Sequence, residues 1–380
     1  MHTVTFEVVR DIDSFCAMQS EWDELWSRAG GEYFQSYAYC HSSLIAEAAN
    51  RRQLHCIIAR NDGRLVALWP LVTSWRKCWK YASPLTPPNR SPSDILIAPD
   101  CDVHQVVMGA WGAARKSTRA DVFEFWRINA GSPLQRYLTH NAVTRRATEE
   151  RTHYSALRDL RDWEAYCRSR PGRSRTRPNY LKRRLAAHGE FNVEMLESND
   201  PRIPSLVEWS ALRKREWAQH NGINSQWVFS ESSSTFWSSL LTNAAYQPGV
   251  FRLFLLTYQG KPLAANVIAV GATRAYLLMN TYDLKHEHAN LSPGTVLVDD
   301  CVKWAFDQGL DFDFGPGEQQ YKSSWSGGTS YATLSCLVLP TLWGRAGYSA
   351  KHGIRHLRGI IAQLSGKPTP AHVAVNAPST

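Results

Sequence analysis

The chain has 380 residues, of which 43% are hydrophobic and 20% charged. This composition suits two packed domains and excludes wholesale disorder. The net charge of +9 indicates an anionic partner, such as a phosphorylated cofactor, a nucleic acid or a membrane surface. No apolar run approaches the ~18 residues of a membrane span, and the eight scattered cysteines are predicted to be reduced core thiols. We therefore expect a cytoplasmic protein without a bound metal.

The first half of the chain alternates between helical and strand patterns. Asp62-Gly63 lies between two apolar runs and predicts a hairpin, because both residues tolerate the positive φ of a tight turn. The predicted elements, in order, are strand 6–9, helices 13–28 and 37–48, hairpin strands 54–59 and 65–72, strand 94–97, helix 103–117 and strand 121–128.

The same order of elements returns in the second half, with Gln259-Gly260-Lys261 as the turn of a second hairpin. Its predicted elements are helices 204–221 and 230–244, hairpin strands 251–258 and 263–270, strand 274–282, helix 295–308, and strands 311–314 and 335–339. Such a repeat predicts the duplication of a whole α/β unit, with two unrelated hairpins as the alternative.

Between the repeats lies an Arg-rich stretch, residues 145–184, which contains Pro-Gly and is interpreted as an inter-domain connection with helical portions at 159–166 and 179–189. A basic helix is predicted over 345–364, and the tail beyond residue 367 is predicted to be disordered. The predicted divisions of the chain are 1–150, 151–345 and 346–380.

The segment most informative about chemistry follows the strand at 274–282. A Ser-Pro-Gly-Thr sequence marks the start of the next helix, where glycine allows a ligand to approach the backbone and the free N–H groups favour an anion. Proline is also common at the first position of helices that bind no ligand. The residues predicted to bind the phosphates of a cofactor are Ser292, Pro293, Gly294, Thr295 and Val296.

Beyond that helix, residues 311–322 read Asp-Phe-Asp-Phe-Gly-Pro-Gly-Glu-Gln-Gln-Tyr-Lys. Together with the Ser-Pro-Gly-Thr helix, this run resembles the acyltransferases named after a cellulose-biosynthesis protein (CelD-like), of the GNAT superfamily, and is similar to the FemABX peptidyltransferases. The resemblance spans about residues 5–335. Close relatives often have Arg-Gly-Asp-Glu-x-Tyr-Lys here, so this chain lacks the arginine and one acid.

The resemblance implies an α/β (α+β) protein of two tandem GNAT-type folds, each a mixed, mostly antiparallel sheet flanked by helices. It also implies acetyl-CoA or a longer acyl-CoA as the donor, and an amine of a small molecule or saccharide as the acceptor. The pantetheine is expected between strands 275–282 and 311–314. Because the first half has no Ser-Pro-Gly-Thr before its helix at 103–117, only the second half is expected to bind CoA.

Four residues are candidates for catalysis. Glu318 is interpreted as the base, with a solvated loop acid as the alternative. Tyr321 is a candidate proton donor to the leaving thiolate, or else a packed tyrosine. Lys322 is predicted to bind phosphate or stabilise charge, unless it is a surface lysine. Asp313 is predicted to orient a group at the end of its strand, with structural capping as the alternative.

The acceptor is expected to arrive just before the phosphate loop. The residues assigned to its binding are Tyr282, Asp283, His286 and Trp217. His286 and His288 lack further ligands at metal-binding spacing, so no metal site is predicted.

Three function classes remain open. The first is a CoA-dependent N-acyltransferase acting on a small molecule or a polysaccharide or cell-envelope precursor. The second is an aminoacyl-tRNA-dependent transferase of the FemABX kind, which the basic stretch favours but for which no helical hairpin is visible. The third is a non-catalytic scaffold that retains the fold. The sequence contains no Gly-x-Ser-x-Gly, dinucleotide or Walker motif.

Overall fold

The computed structural model describes residues 4–47, 52–141, 144–170, 177–198, 200–243, 245–317 and 320–350. The strands of the first half are β1 (Val4–Val9), β2 (Gln53–Asn61), β3 (Arg64–Arg76), β4 (Trp79–Pro84), β5 (Leu96–Ile97), β6 (Val122–Asn129) and β7 (Thr144–Ser155). Those of the second half are β8 (Phe191–Leu196), β9 (Phe251–Tyr258), β10 (Lys261–Val270), β11 (Arg274–Tyr282), β12 (Asp311–Pro316) and β13 (Ser330–Val338).

Helices precede and follow the central strands of each half. In the first half they are α1 (Ile12–Ala17), α2 (Gln19–Ala29), α3 (Tyr37–Ala46), α4 (Val103–Thr118) and α5 (Pro133–Asn141). In the second half they are α6 (Trp163–Ser169), α7 (Pro178–Ala186), α8 (Ile203–His220), α9 (Gln226–Phe229), α10 (Glu231–Thr242), α11 (Pro293–Asp307) and α12 (Gln320–Ser326). A further helical segment occupies 342–350.

Both predicted hairpins are confirmed, and their turns have the expected backbone. Asp62 and Gly63 have φ of 49° and 81°, and Gln259 and Gly260 have φ of 48° and 74°. Two successive residues with positive φ give the turn whose twist matches that of the flanking strands. The turn residues therefore fix the register of β2 on β3 and of β9 on β10.

The strands form one continuous sheet in the order β1-β2-β3-β4-β6-β13-β7-β12-β11-β10-β9-β8, with β5 paired to β3. The two halves repeat one pattern, because an antiparallel series ends in a parallel pair, β4 with β6 and β11 with β12. This confirms the repeated order and the mixed, largely antiparallel sheet flanked by helices that the sequence predicts.

The last strands of the two halves are exchanged. β7, from the first half, pairs with β12 of the second half, and β13, from the second half, pairs with β6 of the first. β7 and β13 also pair with each other at the centre of the sheet. Each half therefore completes the sheet of the other.

Three buried clusters hold this arrangement together. One packs α4 on the first half of the sheet, around Trp111 and Phe123. A second packs α11 on the second half, around Val302 and Phe312. The third is shared between the halves, since α3 packs against α10. The hydrophobic effect thus joins the halves as well as forming each of them.

Some sequence expectations are wrong in detail. Residues 144–155 are a central strand, whereas the sequence placed them in a connection. The strand expected at 94–97 is reduced to β5, and the helix expected at 159–166 is displaced to α6. All eight cysteines are free, and seven are buried or partly buried, but Cys78 is exposed, so the prediction of a core thiol is wrong for Cys78. Of the helix expected at 345–364, the part beyond residue 350 lies outside the described residues.

In the part of the chain that the structure describes, no helix is long and apolar enough to cross a membrane.

Candidate active site

At the start of α11, Pro293 has no N–H and the Thr295 and Val296 N–H groups donate to the Ser292 carbonyl at 2.9 and 3.1 Å, so the Gly294 N–H is the one left without a partner among the described residues. Ser292 adopts a left-handed conformation (φ 51°, ψ 58°) and Pro293 begins the helix, and no described side chain caps the helix start. Gly294 packs closely on β11, because a Cβ there would lie 3.1 Å from both Asn280 Oδ1 and Tyr282 Cδ1. An uncapped helix start with its positive dipole end is a place where an anion is stabilised.

The corresponding helix of the first half begins differently. The Asp102 carboxylate caps α4 by accepting a hydrogen bond from the Gln105 N–H at 3.0 Å. A carboxylate therefore already occupies the position where an anionic ligand would bind. The two helices are equivalent in topology, but only α11 leaves its start open to a ligand among the residues described here.

Strands β11 and β12 separate soon after they meet. They pair in parallel only from Arg274–Asp311 to Tyr276–Asp313, although β11 continues to Tyr282. On its other side, β11 has a bulge opposite Val267 and Ile268, so that Leu278 has no ladder partner on β10. The result is a gap between two central strands beyond Tyr276 and Asp313, within the strands 275–282 and 311–314 where the resemblance implies it.

The gap opens into a cavity of about 1160 Å³ that both halves line. The second half contributes aromatic side chains from α8, α9 and α10, including Trp217, Trp227 and Trp237. The first half contributes Glu32, Arg127 and residues 148–152 of β7. A cavity of this size, with aromatic walls and a few charged groups, is typical of a small-molecule site.

A polar cluster forms the base of the gap around Asp313, which is 1% exposed. Its carboxylate accepts hydrogen bonds from the Gly315 N–H at 2.7 Å and from the Tyr331 hydroxyl at 2.8 Å. Arg274 Nη1 lies 3.6 Å from the same carboxylate, and its guanidinium lies against the Tyr154 and Tyr331 rings. Burial raises the pKa of Asp313 to about 6 despite these partners.

A second carboxylate belongs to this cluster but comes from the first half. Glu32 accepts a hydrogen bond from the Tyr276 hydroxyl. Burial raises the pKa of Glu32, while this bond and the charge of Arg274 oppose the rise. At the base of the gap, Glu32 of the first half, which precedes α3, is therefore hydrogen-bonded to Tyr276 of β11 in the second half.

Lys214, on α8, lies on the cavity wall beside β11. Its Nζ donates to the Asn280 carbonyl at 3.2 Å and lies 4.4 Å from the centre of the Trp217 ring. It is 7% exposed. Burial, and then the charge of Lys322, lower the pKa of Lys214 to about 7.

Lys322, on α12, lies on the other side of the gap and is fully buried. It donates to the Pro316 carbonyl at 2.6 Å and to the Gly315 carbonyl at 3.3 Å, at the end of β12. Burial lowers its pKa to about 8, which the charge of Asp313 partly opposes. Two buried ammonium groups thus flank the separated strands, and the surface-lysine alternative for Lys322 is wrong.

The other predicted residues are distributed around this site. Trp217 lines the cavity, and Asp283 accepts from Arg213 at 3.2 Å. His286 lies against the Tyr258 ring, outside the cavity lining. Glu318 lies outside the described residues, as does the side chain of Tyr321. Within the described ranges, no group of three or more His, Cys, Asp or Glu can hold a metal ion.

Several cavity residues were missed from the sequence. Glu32 precedes a short helical turn, and Lys214 occurs in an amphipathic helix, so neither carries a local signal. Residues 148–152 were missed because Thr-Glu-Glu-Arg-Thr reads as a solvated connection. All five pair with β13, and Thr152 pairs with Pro316 of β12 as well, while these residues line the cavity. The two threonines, Thr148 and Thr152, were the one weak signal for a strand in this stretch.

Residues 172–323 match the family described as Acetyltransferase (GNAT) domain. The chain contains a GNAT-type acetyltransferase domain. Its boundaries include α11, β11, β12 and the gap between the two strands. None of the curated proteins matches the chain.

Solved structures similar to this chain extend beyond the GNAT domain. FemX has a TM-score of 0.57 at 10% identity, covering 87% of this chain and 96% of its own. The C-terminal domain of a putative lysylphosphatidylglycerol synthetase from Agrobacterium fabrum has a TM-score of 0.54 at 12% identity, covering 89% and 96%. L-PGS from Bacillus licheniformis has a TM-score of 0.51 at 10% identity, covering 86% and 91%. At these identities the likeness concerns the fold alone.

Proposed function

We propose that this protein transfers an acyl group from acyl-CoA to an amine, as a CelD-like member of the GNAT superfamily. The observation that carries the proposal is the gap between β11 and β12, which begins beyond Tyr276 and Asp313 and opens into the shared cavity. The pantetheine would enter this gap, and the pyrophosphate would bind at the open start of α11, from Ser292 to Val296.

The strand geometry supplies a means of stabilising the transition state. Leu278 lines the cavity at the bulge, where its backbone has no ladder partner on β10, and β12 pairs with β11 only up to Tyr276. The Leu278 N–H is therefore our candidate hydrogen-bond donor to the oxyanion that forms when an amine attacks the thioester carbonyl. A fixed donor of this kind needs no reorganisation during the reaction.

The acceptor amine would occupy the cavity, which neither half forms alone. Attack on the thioester forms the new C–N bond, expels the CoA thiolate and requires the amine to lose a proton. We propose Glu318 as the group that takes this proton, because it stands two residues after Pro316, the last residue of β12, in the sequence. We propose a positioning role for Asp313, which its hydrogen bonds from the Gly315 N–H and the Tyr331 hydroxyl support.

The first half is proposed to shape the acceptor cavity without binding CoA. Its parallel pair, β4 and β6, also separates, after Ala82–Phe123. There the Ser93 hydroxyl donates to the Trp126 carbonyl of β6 at 3.0 Å, so the segment that contains Ser93 lies along β6 where the two strands separate. Asp102 closes the start of α4 in the same half.

Thermal unfolding with acetyl-CoA and longer acyl-CoAs tests the donor. A ligand at 100 times its Kd stabilises the native state by about 2.7 kcal/mol, so a melting shift of several degrees is expected. No shift with any CoA ester would overturn the proposal, and a shift with aminoacyl-tRNA instead would support a FemABX-like reaction.

Activity of two neighbouring variants tests the base. We expect Glu318→Ala to lower acyl transfer by about 100-fold or more without weakening acyl-CoA binding, whereas Gln319→Ala keeps both. Wild-type turnover by Glu318→Ala would remove Glu318 from the mechanism. CoA binding with no transfer to any amine would support a scaffold.

A further inference from the structure

The hairpin between β3 and β4 ends in an exposed aromatic and basic turn. Trp75 is 67% exposed, and Arg76, Lys77 and Cys78 after it are also exposed. Trp75 pairs with Lys80 across the hairpin. A tryptophan exposed to this extent loses the hydrophobic stabilisation that most tryptophans gain from burial.

The helical segment 342–350 lies against this hairpin. The Trp343 ring centre is 6.1 Å from that of Trp79, and Trp343 Nε1 donates to the Cys78 carbonyl at 3.3 Å. Gly347 contacts the Trp79 ring so closely that a Cβ there would clash. The segment is therefore fixed on the hairpin, although Leu342 and Trp343 remain 80% and 56% exposed.

These side chains define one feature, here called the aromatic tip: Trp75, Lys77, Trp79, Leu342 and Trp343. Over the described part of the chain, Trp75 and Trp343 are the two tryptophans exposed to solvent, and both belong to it. Other exposed apolar residues, such as Ile12 on α1, lie on other elements. The concentration of large apolar groups at one place indicates a docking surface.

The charge around the aromatic tip has one dominant sign. Among the described residues, the sequence contains no Asp or Glu from residue 63 to 93, nor from residue 320 to 350. Burial, and then the charges of Arg10 and Arg119, lower the pKa of Lys80, so these three cations lie near one another. Acids nearby are already engaged, since Glu124 pairs with Arg76 and Asp121 accepts from Thr341.

We propose that the aromatic tip docks this protein on the surface of an anionic lipid bilayer. Tryptophan side chains are favoured at the level of the lipid headgroups, and Lys and Arg beside them are attracted to anionic lipids. The exposed Leu342 suits insertion among acyl chains, whereas a nucleic acid would offer it no apolar partner. The inference is independent of the acyl-transfer proposal, because the aromatic tip contributes no residue to the cavity lining.

Co-sedimentation of the full chain with vesicles tests this. We expect binding to vesicles of phosphatidylcholine with 30% phosphatidylglycerol, as the probe composition, and at least fivefold weaker binding to phosphatidylcholine alone. Trp75→Ser and Trp343→Ser should each weaken binding about tenfold, since each removes a large apolar contact. Lys77→Glu should weaken it by at least about fivefold, because one cation near an anionic surface contributes about that factor.

Ile12→Ser is the matched control, since it removes an equally exposed apolar side chain elsewhere and should leave binding unchanged. Far-ultraviolet circular dichroism verifies folding, and if Trp343→Ser unfolds, Trp75→Ser and Lys77→Glu still decide. Vesicle binding that all variants retain would overturn the proposal, as would no binding by the wild type. If the wild type bound transfer RNA but not vesicles, and the same variants lost the RNA binding, the proposal would be overturned in favour of a nucleic acid.

Discussion

Replacing Lys214 by methionine is expected to raise the free energy of unfolding of the protein. The ammonium is buried between α8 and β11 with one hydrogen bond, to the Asn280 carbonyl, and the Trp217 ring beside it. Methionine has a similar length and carries no charge. The variant therefore removes the cost of burying an ammonium while it keeps most of the packing.

The magnitude follows from the pKa of Lys214. Burial lowers this pKa from 10.5 to about 7, so the folded state binds the proton less tightly than the unfolded chain does. Wild-type stability therefore rises with pH between about 7 and 10.5. From the shift, the lysine costs about 4 kcal/mol at pH 7 and about 2 kcal/mol at pH 9, before the lost Asn280 and Trp217 contacts are counted.

Urea denaturation of both proteins at pH 7 and pH 9 measures this effect. We expect the free energy of unfolding of Lys214→Met to exceed that of the wild type by about 2 kcal/mol at pH 7, because the lost contacts offset part of the gain. The difference should shrink by about 2 kcal/mol at pH 9. Lys261→Met, at an exposed position on β10, is the control. A difference independent of pH, or a destabilised variant, would refute the reasoning.

Two further predictions concern the base of the gap and the exchanged strands. Asp313→Ala should lower the free energy of unfolding by about 3 kcal/mol, since it removes the shared acceptor of Gly315 and Tyr331, and unchanged urea midpoints would contradict this. Fragments 1–156 and 157–380 should each fail to unfold cooperatively alone but associate one to one when co-expressed, because β7 and β13 complete each other's halves. Light scattering that shows two stable folded monomers would rule this out.

The sequence predicts much of the fold because several of its determinants are local. Asp62-Gly63 and Gln259-Gly260 specify tight turns through the backbone conformations that these residues permit. The start of α11 is likewise visible in Ser-Pro-Gly-Thr. Such features depend on neighbours within a few residues, so a single chain suffices to recognise them.

The exchange of β7 and β13 is not local and leaves no pattern in the sequence. β7 carries charged residues, which single-sequence reasoning assigns to a connection, and its place depends on partners about 160 to 190 residues away. The burial of Lys214 was missed for the same reason, because its carbonyl partner lies 66 residues away. The burial of Lys322 was left open because a lysine is normally exposed, although its carbonyl partners are only six and seven residues away.

The acceptor cavity also could not be derived from one half of the chain. Glu32, from the first half, and Tyr276, from the second, meet only because the two halves share one sheet and one helical layer. The predicted domain boundary between residues 150 and 151 stays a prediction. The pairing of β7 with β12 and of β13 with β6 places strands from both sides of that boundary in one sheet.

The most direct test of the proposed donor site is calorimetric titration of acetyl-CoA, or of whichever acyl-CoA gives the largest melting shift, into three proteins. The account predicts one site per chain in the wild type and in Gly112→Val, whose side chain meets open space on α4. It predicts binding at least about tenfold weaker in Gly294→Val, because the new side chain presses on Asn280 and Tyr282 at the start of α11. Equal affinity in all three proteins, with unliganded melting temperatures also equal, would contradict a CoA site at this helix.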